Sequence, residues 1–164
     1  MLTPWQIWNC AAEAFEKDHY VVVPELDGHT EDEATAFNSV EEEADKICEY
    51  IRNELEGKVF LLAELSMGGR IAAEIAKSTD INIQNLVLDG APLTKMNGLM
   101  KSIFKRILFM HGSKGNEAVS RKCALRMKAV NPQTEIREFK GMAHAELACF
   151  KPEQWVKEVE GFLS

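Results

Sequence analysis

Two short segments carry residue types suited to acyl-transfer chemistry. The first is Glu64-Leu65-Ser66-Met67-Gly68-Gly69-Arg70, between the apolar run Val59-Phe60-Leu61-Leu62-Ala63 and the helically spaced Ile71, Ala72, Ile75 and Ala76. A serine on a sharp strand-to-helix turn is pushed clear of the sheet edge. Such a turn tolerates no bulk around it, and Gly68 and Gly69 keep one side small. The helix that starts there aims backbone N–H groups and its positive dipole end at the same space. The Met67 amide is therefore a candidate oxyanion donor. The second segment is Gly141-Met142-Ala143-His144-Ala145-Glu146-Leu147, in the loop after the last strand-like run. From there His144 would reach across the top of a sheet to Ser66, take its proton and return it to a leaving group. A histidine alone is more often structural or merely exposed. The two segments in this order reinforce each other.

The elements that must position these residues follow from pattern. Thr3-Pro4-Trp5-Gln6 reads as a capping box with proline at the first helical position, followed by Trp5, Trp8, Ala11, Ala12 and Phe15 at helical spacing. Tyr20-Val21-Val22-Val23, stopped by Pro24, reads as a buried strand. Ser39-Val40-Glu41-Glu42 is a second capping box, and Val40, Ala44, Ile47, Cys48, Ile51 and Leu55 form one stripe ended by Gly57. Further strands are expected over Val59–Ala63, Leu86–Leu88, Ile107–Met110 and, with edge-like alternation, Glu135–Phe139. Helices are expected over Ala118–Val130 and from Pro152 onward, with Trp155, Val156, Val159, Phe162 and Leu163 inward. Strands interleaved with helices predict an α/β fold: a mostly parallel sheet of about five strands with helices on both faces, in one domain spanning 1–164. In such sheets ligands collect at the carboxyl ends of the strands, where Ser66 and His144 both fall.

Composition narrows the function classes. The chain has 164 residues, 46% hydrophobic and 27% charged, enough for one core. A net charge of −7 argues against a nucleic-acid footprint and against docking on an anionic membrane. No apolar run approaches a membrane span, and the first residues lack the pattern of a secretory signal. Cys10, Cys48, Cys123 and Cys149 are scattered without a C-x-x-C, as expected of packing residues in a reducing, cytoplasmic setting. No metal or cofactor is expected. The dinucleotide fingerprint and the P-loop signature are both missing. His19 reads as a surface residue, His29 as part of a solvated turn and His111 as a partner for nearby loops.

On these segments the chain resembles the α/β-hydrolase family. Ser66-Met67-Gly68-Gly69 is similar to the G-x-S-x-G nucleophile elbow. Val22 to His29 resembles the family's strand and P-D-x-x-G-H loop, and Leu86 to Pro92 the strand after the nucleophile helix. Leu108 to Ser113 resembles the strand preceding the acid, and Gly141 to His144 the histidine loop. The resemblance spans nearly the whole chain. It implies a serine hydrolase of small-molecule esters or thioesters: Ser66 as nucleophile, His144 as general acid and base, Met67 as an oxyanion donor. For the orienting acid it leaves Glu117, Asp89 or none.

The departures are specific. Glu64 stands where the elbow's first glycine is expected. The loop Gly112-Ser113-Lys114-Gly115-Asn116-Glu117 puts Gly115 or Asn116 where the acid would align most simply. Against the family pattern the chain reads as shortened before the Thr3 helix, with no segment expected to supply the second oxyanion amide. The family strand between the Tyr20 and Val59 runs is missing, so those two either pair directly or take a strand from another chain. On that ground a homo-oligomer is expected. The lid is reduced to residues 93–106, where Leu93, Met96, Leu99, Met100, Ile103 and Phe104 would make one amphipathic helix. Together these departures keep a second reading open, that of a catalytically impaired hydrolase-fold protein serving as a binding or assembly module.

Overall fold

A computed structural model describes residues 4–30, 34–93, 104–115 and 117–164. Thr3 of the first capping box and the stripe Met96, Leu99, Met100 and Ile103 lie outside the described residues. In chain order the elements are α1 (Pro4–Ile7), α2 (Asn9–Phe15), α3 (Val40–Glu54), β1 (Lys58–Leu65), α4 (Gly68–Ile75), β2 (Asn82–Asp89), β3 (Arg106–Gly112), α5 (Glu117–Val130), β4 (Glu135–Phe139), α6 (Glu146–Phe150) and α7 (Pro152–Leu163).

The four strands form one parallel sheet in the order β1-β2-β3-β4. Period-two alternation splits its side chains between two cores. Leu86, Leu88, Ile107 and Phe109 face Ala44, Cys48 and Ile51 of α3, Ile71, Ala72 and Ile75 of α4, and Cys123, Ala124 and Met127 of α5. Val87, Leu108 and Met110 face Leu147 and Ala148 of α6 and Trp155, Val156, Val159 and Phe162 of α7. Trp8 and Phe15 join that second core, and Trp8 meets Trp155 edge-on at 5.2 Å. Helices cover both faces, α3, α4 and α5 on one and α6 and α7 on the other, and β2 and β3 are accordingly buried along nearly their whole length. Leu93 and Phe104, flanking the undescribed stretch, are buried in the first core.

Local signals set the helix starts. Ser39 Oγ accepts the Glu42 N–H at 3.0 Å at the start of α3, and Glu41, Glu42 and Glu43 sit in the first turn, where the dipole favours them. Pro152 opens α7.

The sheet has four strands among the described residues, not five. Tyr20-Val21-Val22-Val23 forms no strand. Half-buried Val21 and Val23 still alternate with Tyr20, 79% exposed, and Val22, 40% exposed. The run does not pair with β1, whose hydrogen-bonded neighbour is β2. β-propensity reports how well side chains fit a pleated surface; it supplies no partner edge. Here side chains hold the segment instead. His19 stacks on Phe60 at 5.2 Å, and the hydroxyls of Tyr20 and Tyr50 lie 3.5 Å apart. No described helix is long and apolar enough to cross a membrane.

Candidate active site

Three strand ends meet at one rim. β1 ends at Leu65, and Ser66 follows with φ +54°, a left-handed conformation uncommon for a residue with a side chain. The Ser66 N–H donates to the Asp89 carbonyl at 2.9 Å, which ties the elbow to the end of β2. The Gly69 N–H then donates to the Ser66 carbonyl at 3.2 Å as α4 begins. The Met67 N–H, at the start of α4, has no acceptor among the described residues.

The histidine loop is fastened to the end of β3. The N–H groups of Ser113 and Lys114 both donate to the Met142 carbonyl, at 2.8 and 2.9 Å, and the Gly141 N–H donates to Ser113 Oγ at 2.8 Å. Glu146 Oε2 accepts the Ala143 N–H at 2.8 Å, and Ala145 adopts φ +60°. Held this way, His144 Nε2 lies 2.8 Å from Ser66 Oγ and His144 Nδ1 lies 2.7 Å from Glu117 Oε1. A carboxylate only accepts, so Nδ1 carries the ring proton and Nε2 is left to accept from the serine hydroxyl. The His144 side chain is 44% exposed, whereas that of Glu117 is 2% exposed. The imidazole therefore opens toward solvent, while the carboxylate beside it is sealed in. Glu117 Oε2 also accepts the Gly112 N–H at 3.1 Å, so both carboxylate oxygens are engaged.

The structure thus joins Ser66, His144 and Glu117 in one hydrogen-bonded chain. Asp89, the other carboxylate considered as orienter, is not part of it. Its side chain is buried, Oδ2 has no hydrogen-bond partner among the described residues, and no bond links it to His144. Burial, with repulsion from Glu117 second, pushes the Asp89 carboxyl up to about 7. What Asp89 gives the site is its backbone carbonyl. His111 is buried, its Nδ1 2.7 Å from the Gly112 carbonyl. Among the described residues no group of three or more His, Cys, Asp or Glu side chains is placed to hold a metal ion.

Two glycines matter that pattern reading did not single out. Gly90 has φ +61°, and a Cβ there would come within 2.9 Å of both Cε1 and Nδ1 of His144. At Gly112 a Cβ would run into the backbone of Met142 and Ala143. Their cue in sequence is only a glycine just past a strand, and the close approach comes from a loop distant along the chain. Gly90→Ala is expected to displace the imidazole and slow any reaction at Ser66 by about 10²-fold, the scale of an ångström-sized misplacement. It should also cost about 1–2 kcal/mol for an L-residue in the left-handed region. Labelling kinetics and a denaturant melt on the same sample would check both figures.

No protein-family model matches the chain, and no curated protein matches it. Solved structures do. A protein assigned to the α/β-hydrolase family from Desulfitobacterium hafniense superposes with a TM-score of 0.75 at 22% identity, covering 98% of this chain and 91% of that one. A lipase-esterase related protein from Clostridium acetobutylicum gives 0.75 at 13% identity, covering 96% and 89%. Est816, an N-acyl homoserine lactone degrading enzyme, gives 0.75 at 14%, covering 98% and 89%. At these identities the likeness establishes architecture: the chain has the α/β-hydrolase fold.

Proposed function

We propose that this α/β-hydrolase-fold protein is a serine hydrolase of carboxylic esters or thioesters. The observation that carries the reading is the unbroken chain from Ser66 Oγ through the imidazole of His144 to Glu117. Ser66 Oγ attacks the acyl carbon as Nε2 takes its proton, and the carbonyl oxygen becomes an oxyanion facing the Met67 N–H. Collapse breaks the bond to the leaving alcohol or thiol, which receives the proton from Nε2, and leaves an acyl-serine. A water then gives its proton to Nε2 and attacks the acyl carbon. The second collapse releases the acid and returns the proton to Ser66. Glu117 holds the ring and stabilises the imidazolium in both halves. Neighbours described as lipase-esterase related and as degrading a lactone, a cyclic ester, support an acyl-oxygen substrate.

Among the described residues one candidate oxyanion amide is identified, at Met67. Loss of one such donor typically costs roughly 10²–10³ in rate, so turnover of simple activated esters is expected to be slow. The same feature, with Glu64 in the elbow, favours the second reading of an impaired hydrolase acting as a binding module. A fluorophosphonate probe separates the two. The active enzyme gains one covalent adduct, mapped to Ser66 by peptide mass, and Ser66→Ala gains none. A folded protein that stays unlabelled overturns the enzyme reading and leaves the binding module.

A further inference from the structure

The loop that carries His144 is fastened through one peptide unit. The Met142 carbonyl accepts the Ser113 and Lys114 N–H groups at 2.8 and 2.9 Å, and the N–H of the same peptide, that of Ala143, donates to Glu146 Oε2 at 2.8 Å. One end of the unit thus meets two amides beyond β3, and the other meets a carboxylate. Gly112 lets the unit lie against the strand end, because a Cβ there would collide with the Met142 carbonyl oxygen.

The chain then turns sharply. The Glu146 N–H donates to the Ala143 carbonyl at 3.4 Å, which closes a four-residue turn with His144 and Ala145 at its centre. Ala145 has φ +60° and ψ +3°, values that such turns ordinarily give to glycine or asparagine at the third position. A residue with a side chain stays there only when its surroundings fix it. The main-chain bond of this turn is long. The shorter bond across it is the one from the Ala143 N–H to the Glu146 carboxylate, so a side chain closes what the main chain closes poorly.

The turn carries the base. His144 Nε2 must meet Ser66 Oγ while Nδ1 meets Glu117, two points fixed on other elements. A turn free to open, or a Met142–Ala143 peptide free to rotate, would carry the ring away from one of them. Glu146 itself is half-buried, and its carboxylate bonds the loop backbone, not the ring.

We propose that Glu146 is a positioning residue for the reaction at Ser66: by accepting the Ala143 N–H it keeps the 143–146 turn closed and holds the imidazole between Ser66 and Glu117. This rests on the reading of Ser66 as nucleophile. In this role the bond matters and the charge does not, and substitution separates the two. Glutamine keeps an acceptor oxygen at the same reach without the charge. Aspartate keeps the charge but is one methylene short of the Ala143 N–H.

The test measures kcat and KM on an activated neutral ester, and the rate of fluorophosphonate labelling, in the wild type, Glu146→Gln, Glu146→Asp and Glu146→Ala. Glu146→Ala and Glu146→Asp should lose about 10–10²-fold in kcat and in labelling rate with KM within about threefold, the pattern of a misplaced base and an intact binding surface. Glu146→Gln should stay within about threefold of the wild type in both. A lower Tm for Glu146→Ala with unchanged kcat would mean a structural role only, and overturns the proposal. Glu146→Asp matching the wild type while Glu146→Gln falls would mean that charge acts, and overturns it too.

The tautomer of His144 gives a readout that needs no substrate. Nitrogen-15 shifts should report the Nδ1–H form in the wild type and Glu146→Gln, and a mixture with the Nε2–H form in Glu146→Ala and Glu146→Asp, once the ring leaves Glu117. The Nδ1–H form in all four proteins, or its absence from the wild type, overturns the proposal. If the folded wild type neither turns over nor takes the label, the nucleophile reading falls, and the tautomer alone decides whether Glu146 places the ring.

Discussion

Ser66→Ala is expected to lower kcat on an activated ester by roughly 10⁴–10⁶, the loss seen when a serine hydrolase keeps its oxyanion donor and binding surface but has no nucleophile. The second half of this expectation is thermodynamic. Ser66 sits at φ +54°, a conformation that costs a residue with a side chain of order 1 kcal/mol relative to glycine. Ser66→Gly should therefore be as inactive as Ser66→Ala yet melt higher. Urea unfolding of the three proteins checks this, and a Ser66→Gly protein less stable than the wild type would show that no strain resides at the elbow. Opposite signs for activity and stability at one position mark a backbone held in place for reactivity.

Glu117→Gln should cost roughly 10⁴ in kcat, nearly as much as losing the serine. The amide is nearly isosteric, but it presents an N–H₂ as readily as an oxygen to His144 Nδ1. That stabilises the tautomer with its proton on Nε2, which cannot accept from Ser66. Glu117→Ala should add a stability loss of about 1–3 kcal/mol, because the Gly112 N–H loses its buried acceptor. The control is Asp89→Asn, expected within about tenfold of wild type. A loss there as large as for Glu117→Gln would mean that Asp89 backs the histidine in the working enzyme.

The four strands and the Ser66–His144 meeting were legible because their signals are local. Short apolar runs such as Leu86-Val87-Leu88, set between helically spaced segments, read as core strands, and a serine between such a run and two glycines reads as a tight turn. Tyr20-Val21-Val22-Val23 misled for the complementary reason: its composition suits a strand, but a strand also needs an edge to pair with, and composition does not encode one. The choice between Glu117 and Asp89 was undecidable from spacing. Asp89 closes β2 and Glu117 follows β3 on the same rim, and it is Glu117 whose carboxyl reaches His144. Glu117 also shows that two readings of one residue can both hold, since it opens α5 and reaches His144. The need for glycine at 90 and 112 arises from contacts with the His144 loop, which the chain brings there only once folded.

The parts of the rim are joined peptide to peptide. The Ser66 amide is held by Asp89, the Gly90 amide by the Met110 carbonyl, and the Ser113 and Lys114 amides by Met142. Main-chain groups are common to all amino acids, so these ties persist when side chains change, and the spacing of Ser66 and His144 rests on few side-chain identities: Glu117, Ser113, Glu146 and the bare Gly90 and Gly112. Residues around the mouth are free to diverge, changing which molecules are admitted while the proton relay beneath keeps its dimensions. A scaffold wired this way changes its clientele by small surface edits and leaves its reactivity intact.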